Sequence, residues 1–363
     1  MQSIWQFANP YLRDLAVYQP GKPIEETARE LGCDAAEIVK LASNENPLGP
    51  SPRAIEAMRE ALAHAQLYPD GGCYYLRKSL AAKLNVSAEN LIFGNGSNEI
   101  IELLAHAFLQ PDDEVITSEH AFIAYKIIAR VFGARVIEAP SRNYAHDVDA
   151  MERVITPRTK LIFIANPNNP TGTLLAASEI ESFVRRLPPH VIIVFDEAYF
   201  EFLDDAPDTI RYVRESRNVV TLRTFSKIQG LAGLRIGYGI ARPELIQVLQ
   251  KTRQPFNVSA LAQVAAVAAL DDHEHQQQTK RVVDEGRAFL EGEFSAMKLH
   301  YIPSTANFVL VNVGDGAAIF RALLRHKVIV RAMTGYSLPE WVRISVGTME
   351  QNHKCITALR QVL

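Results

Sequence analysis

Glu114-Val-Ile-Thr117, then an apolar pattern at helical spacing from Ala121 to Phe132, then Arg135-Val-Ile-Glu138: this stretch decides the fold. Two short β-branched runs on either side of an amphipathic helix spell a strand–helix–strand unit. Working outward, further apolar runs stand at Leu161-Ile-Phe-Ile164, Val191-Ile-Ile-Val-Phe195 and Asn218-Val-Val-Thr-Leu222. Helical spacing marks Pro52 to Ala65 and Ile100 to Phe108. Strands that are apolar throughout, separated by helices, predict an α/β domain whose mostly parallel sheet is covered on both faces. Such sheets bind ligands beyond the carboxyl ends of their strands, so the residues that follow each run are the ones to read for chemistry.

Toward the other end, an alanine-rich helix from Ser259 to Leu270 gives way to the polar stretch Asp271 to Gln278, which breaks the pattern. A helix from Thr279 to Met297 then leads into strands at Asn307-Phe-Val-Leu-Val311 and Trp341-Val-Arg-Ile-Ser345. This predicts a proline-marked N-terminal arm with part of the small domain (1–45), a large domain (46–270) and a small α+β domain (271–363). In the polar break, Asp271-Asp-His273-Glu274-His275 looks superficially like a metal site. Histidines at i and i+2 diverge on a helix and no further ligand is in view, so a solvated turn and no metal are expected.

Composition narrows the partners. At 48% hydrophobic and 22% charged residues, the 363-residue chain has the make-up of a globular protein. A formal net charge of -3 offers no global attraction to nucleic acid or anionic lipid, which leaves small molecules and copies of itself. Cys33, Cys73 and Cys355 form no CxxC pair, no run approaches the length of a membrane span, and Met1 to Gln19 lacks the apolar centre of a signal peptide. A cytoplasmic protein is expected.

Four segments carry chemistry, and three of them follow predicted strands. In Thr224-Phe-Ser-Lys227-Ile-Gln-Gly-Leu-Ala-Gly-Leu-Arg235, two hydroxyls and a planar guanidinium can hold a phosphate, and Gly230 and Gly233 permit close backbone approach. A lysine beside that anion site can form an imine with a cofactor aldehyde, where an isolated loop lysine is merely a solvated charge. Asp196 ends the run Val191 to Phe195; it is either a helix N-cap or a carboxylate that pairs with a pyridinium nitrogen. Tyr199 and, in the rigid turn Asn166-Pro-Asn-Asn169-Pro170-Thr-Gly172, Asn169 can donate to a ring phenolate oxygen. Finally, Gly94-Asn-Gly96-Ser97-Asn98-Glu99 opens the helix of Ile100, and amides at a helix N-terminus bind phosphate. Its spacing is neither GxGxxG nor a Walker loop, which argues against dinucleotide and ATP.

Taken together, these segments resemble the fold-type-I pyridoxal-phosphate aminotransferases and, among them, the histidinol-phosphate aminotransferases. Added matches are Tyr18-Gln-Pro-Gly-Lys22-Pro, Leu41-Ala-Ser-Asn44-Glu-Asn46-Pro-Leu-Gly, Tyr68-Pro-Asp70 and Val342-Arg343-Ile-Ser-Val-Gly347. The resemblance implies that Lys227 binds the cofactor covalently and then relays the proton, that Asp196 pairs with the ring nitrogen, and that Asn169 and Tyr199 bind the phenolate. It gives the phosphate to Ser97, Asn98, Thr224, Ser226 and Arg235, with Tyr68 reaching the partner subunit's cofactor in a homodimer. Phe122 falls where the family stacks an aromatic ring on the cofactor, although a core phenylalanine on an amphipathic helix would look the same; proline and tyrosine are commoner there than His120 and Phe122. Arg343 becomes the clamp for a carboxylate or phosphate, with Tyr18, Asn44 and Arg331 as further substrate contacts. The implied reaction is transamination between L-histidinol phosphate and 2-oxoglutarate, in histidine biosynthesis. Alternatives are an aromatic amino-acid aminotransferase, an amino-acid-phosphate decarboxylase of the same fold, and a cofactor-sensing regulatory module; the chain shows no added basic DNA-binding helices.

Overall fold

The computed structural model describes residues 3–15, 17–18 and 20–363. Met1, Gln2, Ala16 and Gln19, all within the opening segment, lie outside the described residues.

Strand β1 is Val39–Lys40. The next seven strands are β2 (Leu91–Gly94), β3 (Glu114–Ser118), β4 (Arg135–Ala139), β5 (Thr159–Ala165), β6 (Ile192–Asp196), β7 (Val219–Thr224) and β8 (Gly237–Ala241). They form one sheet in the order β2-β8-β7-β6-β5-β3-β4, parallel throughout except for β8. Every residue of β2, β3, β6, β7 and β8 is buried, which is why these strands read as unbroken apolar runs. Only β4, at the edge, shows exposed positions.

Helices cover both faces. Ser97–Phe108 packs Ile100, Ile101, Leu103 and Leu104 against the sheet, and Tyr125 from the helix Ile123–Val131 joins the same apolar cluster. The helix Ala260–Leu270 lies against Pro52–Ala61, where Ala54 and four alanines, Ala262, Ala265, Ala266 and Ala269, let the two backbones approach. Expected helices change their bounds: the one from Pro52 stops at Ala61 and runs on as a 3₁₀ turn, the Ala121 to Phe132 pattern is helical over Ile123–Val131, and the Ile100 helix begins at Ser97, the shift that matters for the site. That shift puts Ser97 and Asn98 in the first turn, with amides that have no partner inside the helix.

The remaining strands are β9 (Tyr301–Ile302), β10 (Phe308–Asn312), β11 (Val328–Ile329), β12 (Arg331–Ala332) and β13 (Trp341–Ser345). An antiparallel sheet runs β12-β13-β10-β9, while β11 pairs in parallel with β1. The Leu41 amide bonds to Ile329 and the Ser345 amide to Leu41, so an early segment is laced into the C-terminal sheet.

The polar break at Asp271 to Gln278 is corrected. After Asp272, whose side chain accepts from the His275 amide, one helix runs from His273 to Ala296. Its buried face is His275, Thr279, Val283, Gly286, Leu290 and Phe294, and the first two of these are polar, so the helical stripe does not show as hydrophobicity. His275 is therefore not part of a solvated turn: it is buried, with Nε2 3.2 Å from the Gly49 carbonyl. Among the described residues no group of three or more His, Cys, Asp or Glu is placed to hold a metal, and no helix is long and apolar enough to cross a membrane.

Candidate active site

A cavity of about 590 Å³ opens at the carboxyl ends of β5, β6 and β7. Every candidate residue named from the sequence lines it, with the single exception of Tyr68. Its floor is Asp196, the last residue of β6. The Tyr125 hydroxyl donates to Asp196 Oδ2 at 2.7 Å, while the buried Oδ1 has no partner. Burial pushes this carboxyl up to about 6, the Tyr125 bond and the Lys227 charge only partly opposing it. A carboxylate so placed is an acceptor waiting for a donor. Tyr125 was read only as part of a helix; that its hydroxyl meets Asp196 depends on how that helix lies on the sheet.

One end of the cavity is built for an anion. The first turn of Ser97–Phe108 points its amides inward after Gly96, which has φ of 72°. Thr224 donates to Ser226 Oγ at 2.9 Å and accepts from the Ser226 amide at 3.1 Å, so the two hydroxyls stand together. Arg235 adds its guanidinium, anchored at 3.2 Å on the Ala232 carbonyl. Gly237 admits the close approach this corner needs, since a Cβ there would lie 2.4 Å from the Ser97 nitrogen. Of the two glycines expected to serve that purpose, Gly230 permits a close approach elsewhere, its notional Cβ being 2.1 Å from the Gly49 oxygen, and Gly233 has nothing within 4 Å.

Lys227 stands between this corner and Asp196. Its Nζ donates to the Asn44 carbonyl at 3.2 Å and lies 5.5 Å from the Tyr199 ring centroid. Burial, then the nearby Arg343 and Arg235 charges, bring the ammonium down to about 8. Such an amine is neutral in a useful fraction near neutral pH, as a nucleophile or proton carrier must be. Around it, Asn44 Nδ2 donates to Tyr199 Oη at 2.9 Å, which leaves the phenol proton free to be donated onward. Arg343 donates to Asn169 Oδ1, which likewise directs the Asn169 amide nitrogen elsewhere. Phe122 sits at the N-cap position of Ile123–Val131, partly buried, packed against the apolar cluster of the sheet and lining the cavity.

The opposite wall carries an unusual pair. Arg331 and Arg343 are register partners in β12 and β13, so both side chains leave the same face of the ladder. Like charges directly opposed across a ladder repel. Arg343 is 6% exposed, and its Nε is buried without a partner. Its other contacts are the neutral Asn169 and, at 2.8 Å, the Ala42 carbonyl. The guanidinium of Arg331 lies 5.8 Å from the Tyr18 ring centroid. An anion bound between the two guanidinium groups would make the arrangement favourable. Ser345 and Asn307, which the sequence does not single out, hold it in place through Asn44: Ser345 Oγ bonds Asn44 at 2.8 Å and Asn307 Nδ2 donates to its carbonyl at 3.0 Å.

Tyr68 lies apart, 83% exposed and stacked on Phe256 with ring centroids 4.9 Å apart.

The sequence and the fold that build this cavity are similar to those of known proteins. Histidinol-phosphate aminotransferase of Akkermansia muciniphila is 52% identical to this chain over 362 residues, covering 99% of this chain and 100% of that protein. That of Moorella thermoacetica is 49% identical over 350 residues, covering 95% and 90% respectively. The crystal structure of histidinol-phosphate aminotransferase from Sinorhizobium meliloti in complex with pyridoxal-5'-phosphate superposes with a TM-score of 0.90 at 28% identity, covering 98% of this chain and 97% of the other. Residues 36–359 match the family described as aminotransferase class I and II. The cavity, the sheet that carries it and the sequence that builds both have the same answer: the chain belongs to the class I and II aminotransferases.

Proposed function

We propose that this chain transfers the amino group of L-histidinol phosphate to 2-oxoglutarate, giving imidazole-acetol phosphate and glutamate, with pyridoxal 5'-phosphate as cofactor, as a step of histidine biosynthesis. Relatives bearing that activity in their names, matched over nearly the full chain, support the reaction. The observation that carries the substrate is the Arg331–Arg343 pair, which can engage a dianionic phosphate with two guanidinium groups at once.

The residues present fit the cofactor. Asp196 Oδ1 is buried and lacks a donor, as a partner for a protonated ring nitrogen should be, and the hydroxyls, amides and Arg235 at the other corner suit a phosphate. When bound, the cofactor supplies an aldehyde that condenses with amines and a pyridinium ring that accepts electron density from the carbon being deprotonated. The chain's residues do the rest. Asp196 keeps the ring nitrogen protonated. Tyr199 and Asn169, their other atoms occupied by Asn44 and Arg343, donate to the phenolate oxygen. Once the substrate amine has displaced it, Lys227 Nζ would take the proton from the amine-bearing carbon of the substrate and deliver it to the former aldehyde carbon, which is what moves the amino group. Arg343 and Arg331, with Tyr18 and Asn44 nearby, hold the substrate's anionic end. Phe122 covers one side, and the apolar surface around it excludes water.

The same reading extends to assembly: an exposed Tyr68 that does not line its own cavity supports a homodimer in which it serves the partner's site. It also includes a cytoplasmic location and the division into an arm with part of the small domain to residue 45, a large domain to 270 and a small domain beyond. Specificity constants for histidinol phosphate and phenylalanine test the substrate. Histidinol phosphate is expected to win, and Arg331→Ala is expected to cost it about ten- to hundred-fold, the worth of one charge-assisted contact, with a smaller loss for phenylalanine. Equal proportional losses would remove Arg331 from the phosphate site, and a wild-type preference for phenylalanine would turn the assignment to an aromatic aminotransferase.

A further inference from the structure

Between β12 and β13, which bring Arg331 and Arg343 face to face, the chain makes the 3₁₀ turn Thr334–Tyr336. Tyr336 is 7% exposed, and its ring belongs to an apolar cluster with Met333, Leu338 and Trp341 against which Ile123 also packs. The same residue lines the cavity beside Arg331, Arg343 and Tyr18. A phenol held by its ring in this way presents one polar atom at its tip, and that atom needs a partner.

The surroundings select the partner. The charges of Arg343 and Arg331 act on the Tyr336 hydroxyl, holding back the upward push that burial gives it, and the Ile123 amide does the same. Guanidinium groups and amides are donors only, so none of these three neighbours can accept the phenol proton. Its proton is left for an acceptor that arrives in the cavity. A further contact holds the backbone of the turn: the His120 ring Nδ1 lies 2.9 Å from the Tyr336 carbonyl oxygen. The turn is thereby tied to the segment that places Phe122, which also lines the cavity.

We infer that Tyr336 is a specificity-determining residue, its hydroxyl donating to the same anionic group of the substrate that Arg331 and Arg343 attract. The inference rests on the transaminase reading above and adds to it a neutral donor that distinguishes an anionic substrate end from an uncharged one.

Tyr336→Phe keeps the packed ring and removes the hydroxyl, so it tests the donor and not the cluster. The substrates to compare are histidinol phosphate and histidinol, which differ only in the phosphate. The variant is expected to lose about ten-fold in specificity constant for histidinol phosphate, chiefly through KM, and under about two-fold for histidinol. Its visible cofactor absorbance and thermal midpoint should match wild type. Equal losses on the two substrates would overturn the inference, as would no loss on either. Should wild type fail to process histidinol phosphate, that substrate assignment falls by itself. Tyr336 is then judged on the single-turnover absorbance change with glutamate against alanine, which lacks the side-chain carboxylate. A loss confined to glutamate would uphold the role, and an equal loss, or none, would end it.

Discussion

At the residue scale, Asp196 shows how a site can work against the fold that carries it. Its carboxyl titrates at about 6 rather than 3.8 because it is buried. Between those values the folded chain holds a proton that the unfolded chain has released, so this group's contribution to stability falls as pH rises through the window. Above about pH 6 the full cost applies, at most about 3 kcal/mol for a shift of this size. Asp196→Asn should therefore make the cofactor-free protein more stable at pH 7, with the gain disappearing toward pH 4, while turnover of the loaded enzyme drops sharply. Thermal melts of cofactor-free wild type and variant across pH would show it, and a gain independent of pH would rule the explanation out. Lys227 gives a complementary signal. With its ammonium brought down to about 8, its labelling by an amine-directed reagent in the cofactor-free protein should rise through that pH, about two units below an exposed lysine. A midpoint near 10 would mean that burial and Arg343 do not act on it as described.

At the scale of elements, β8 and the helix Ser97–Phe108 must touch for the anion corner to exist. Gly237→Ala would drive a methyl group into the Ser97 nitrogen, whereas Gly233→Ala enters open space. The first is expected to cost about 1–3 kcal/mol and to weaken cofactor retention, the second to change little. Equilibrium dialysis of the cofactor against both variants checks this, and equal retention would separate the corner from the glycine. Much of this layer is legible in the chain itself. The strands are readable because both of their faces are covered, and the site residues because they follow strands: Asn169, Asp196 and Lys227 each come just after an apolar run. What escapes is whatever depends on the placement of one element against another. Tyr125, Tyr336, Asn307 and Ser345 have no local mark, since their partners lie on other elements, and the first turns of His273–Ala296 hide behind a buried face that begins with histidine and threonine. The glycine reading failed at Gly233 for the same reason: spacing tells where a backbone could approach, not whether another backbone is there.

For the whole molecule, the exposed Tyr68–Phe256 stack predicts a site shared between two copies. Lys227→Ala and Tyr68→Phe proteins, each impaired alone, should recover activity when mixed and allowed to exchange, because one site of the mixed pair has both wild-type residues. Failure to recover, with exchange shown by mass, would place Tyr68 outside the partner's site. Within one copy, Asn44 and Ser345 are 301 positions apart and bond to each other twice, directly beneath the amine of Lys227. Contacts so distant along the chain close late, after the entropy of the long intervening loop has been overcome. On the ribosome, the large sheet can therefore assemble well before Arg343 and Ser345 have emerged, and the nascent chain spends that interval with a sheet but no working cleft. Competence to react arrives only once Arg343 and Ser345 have been made, however early Lys227 is.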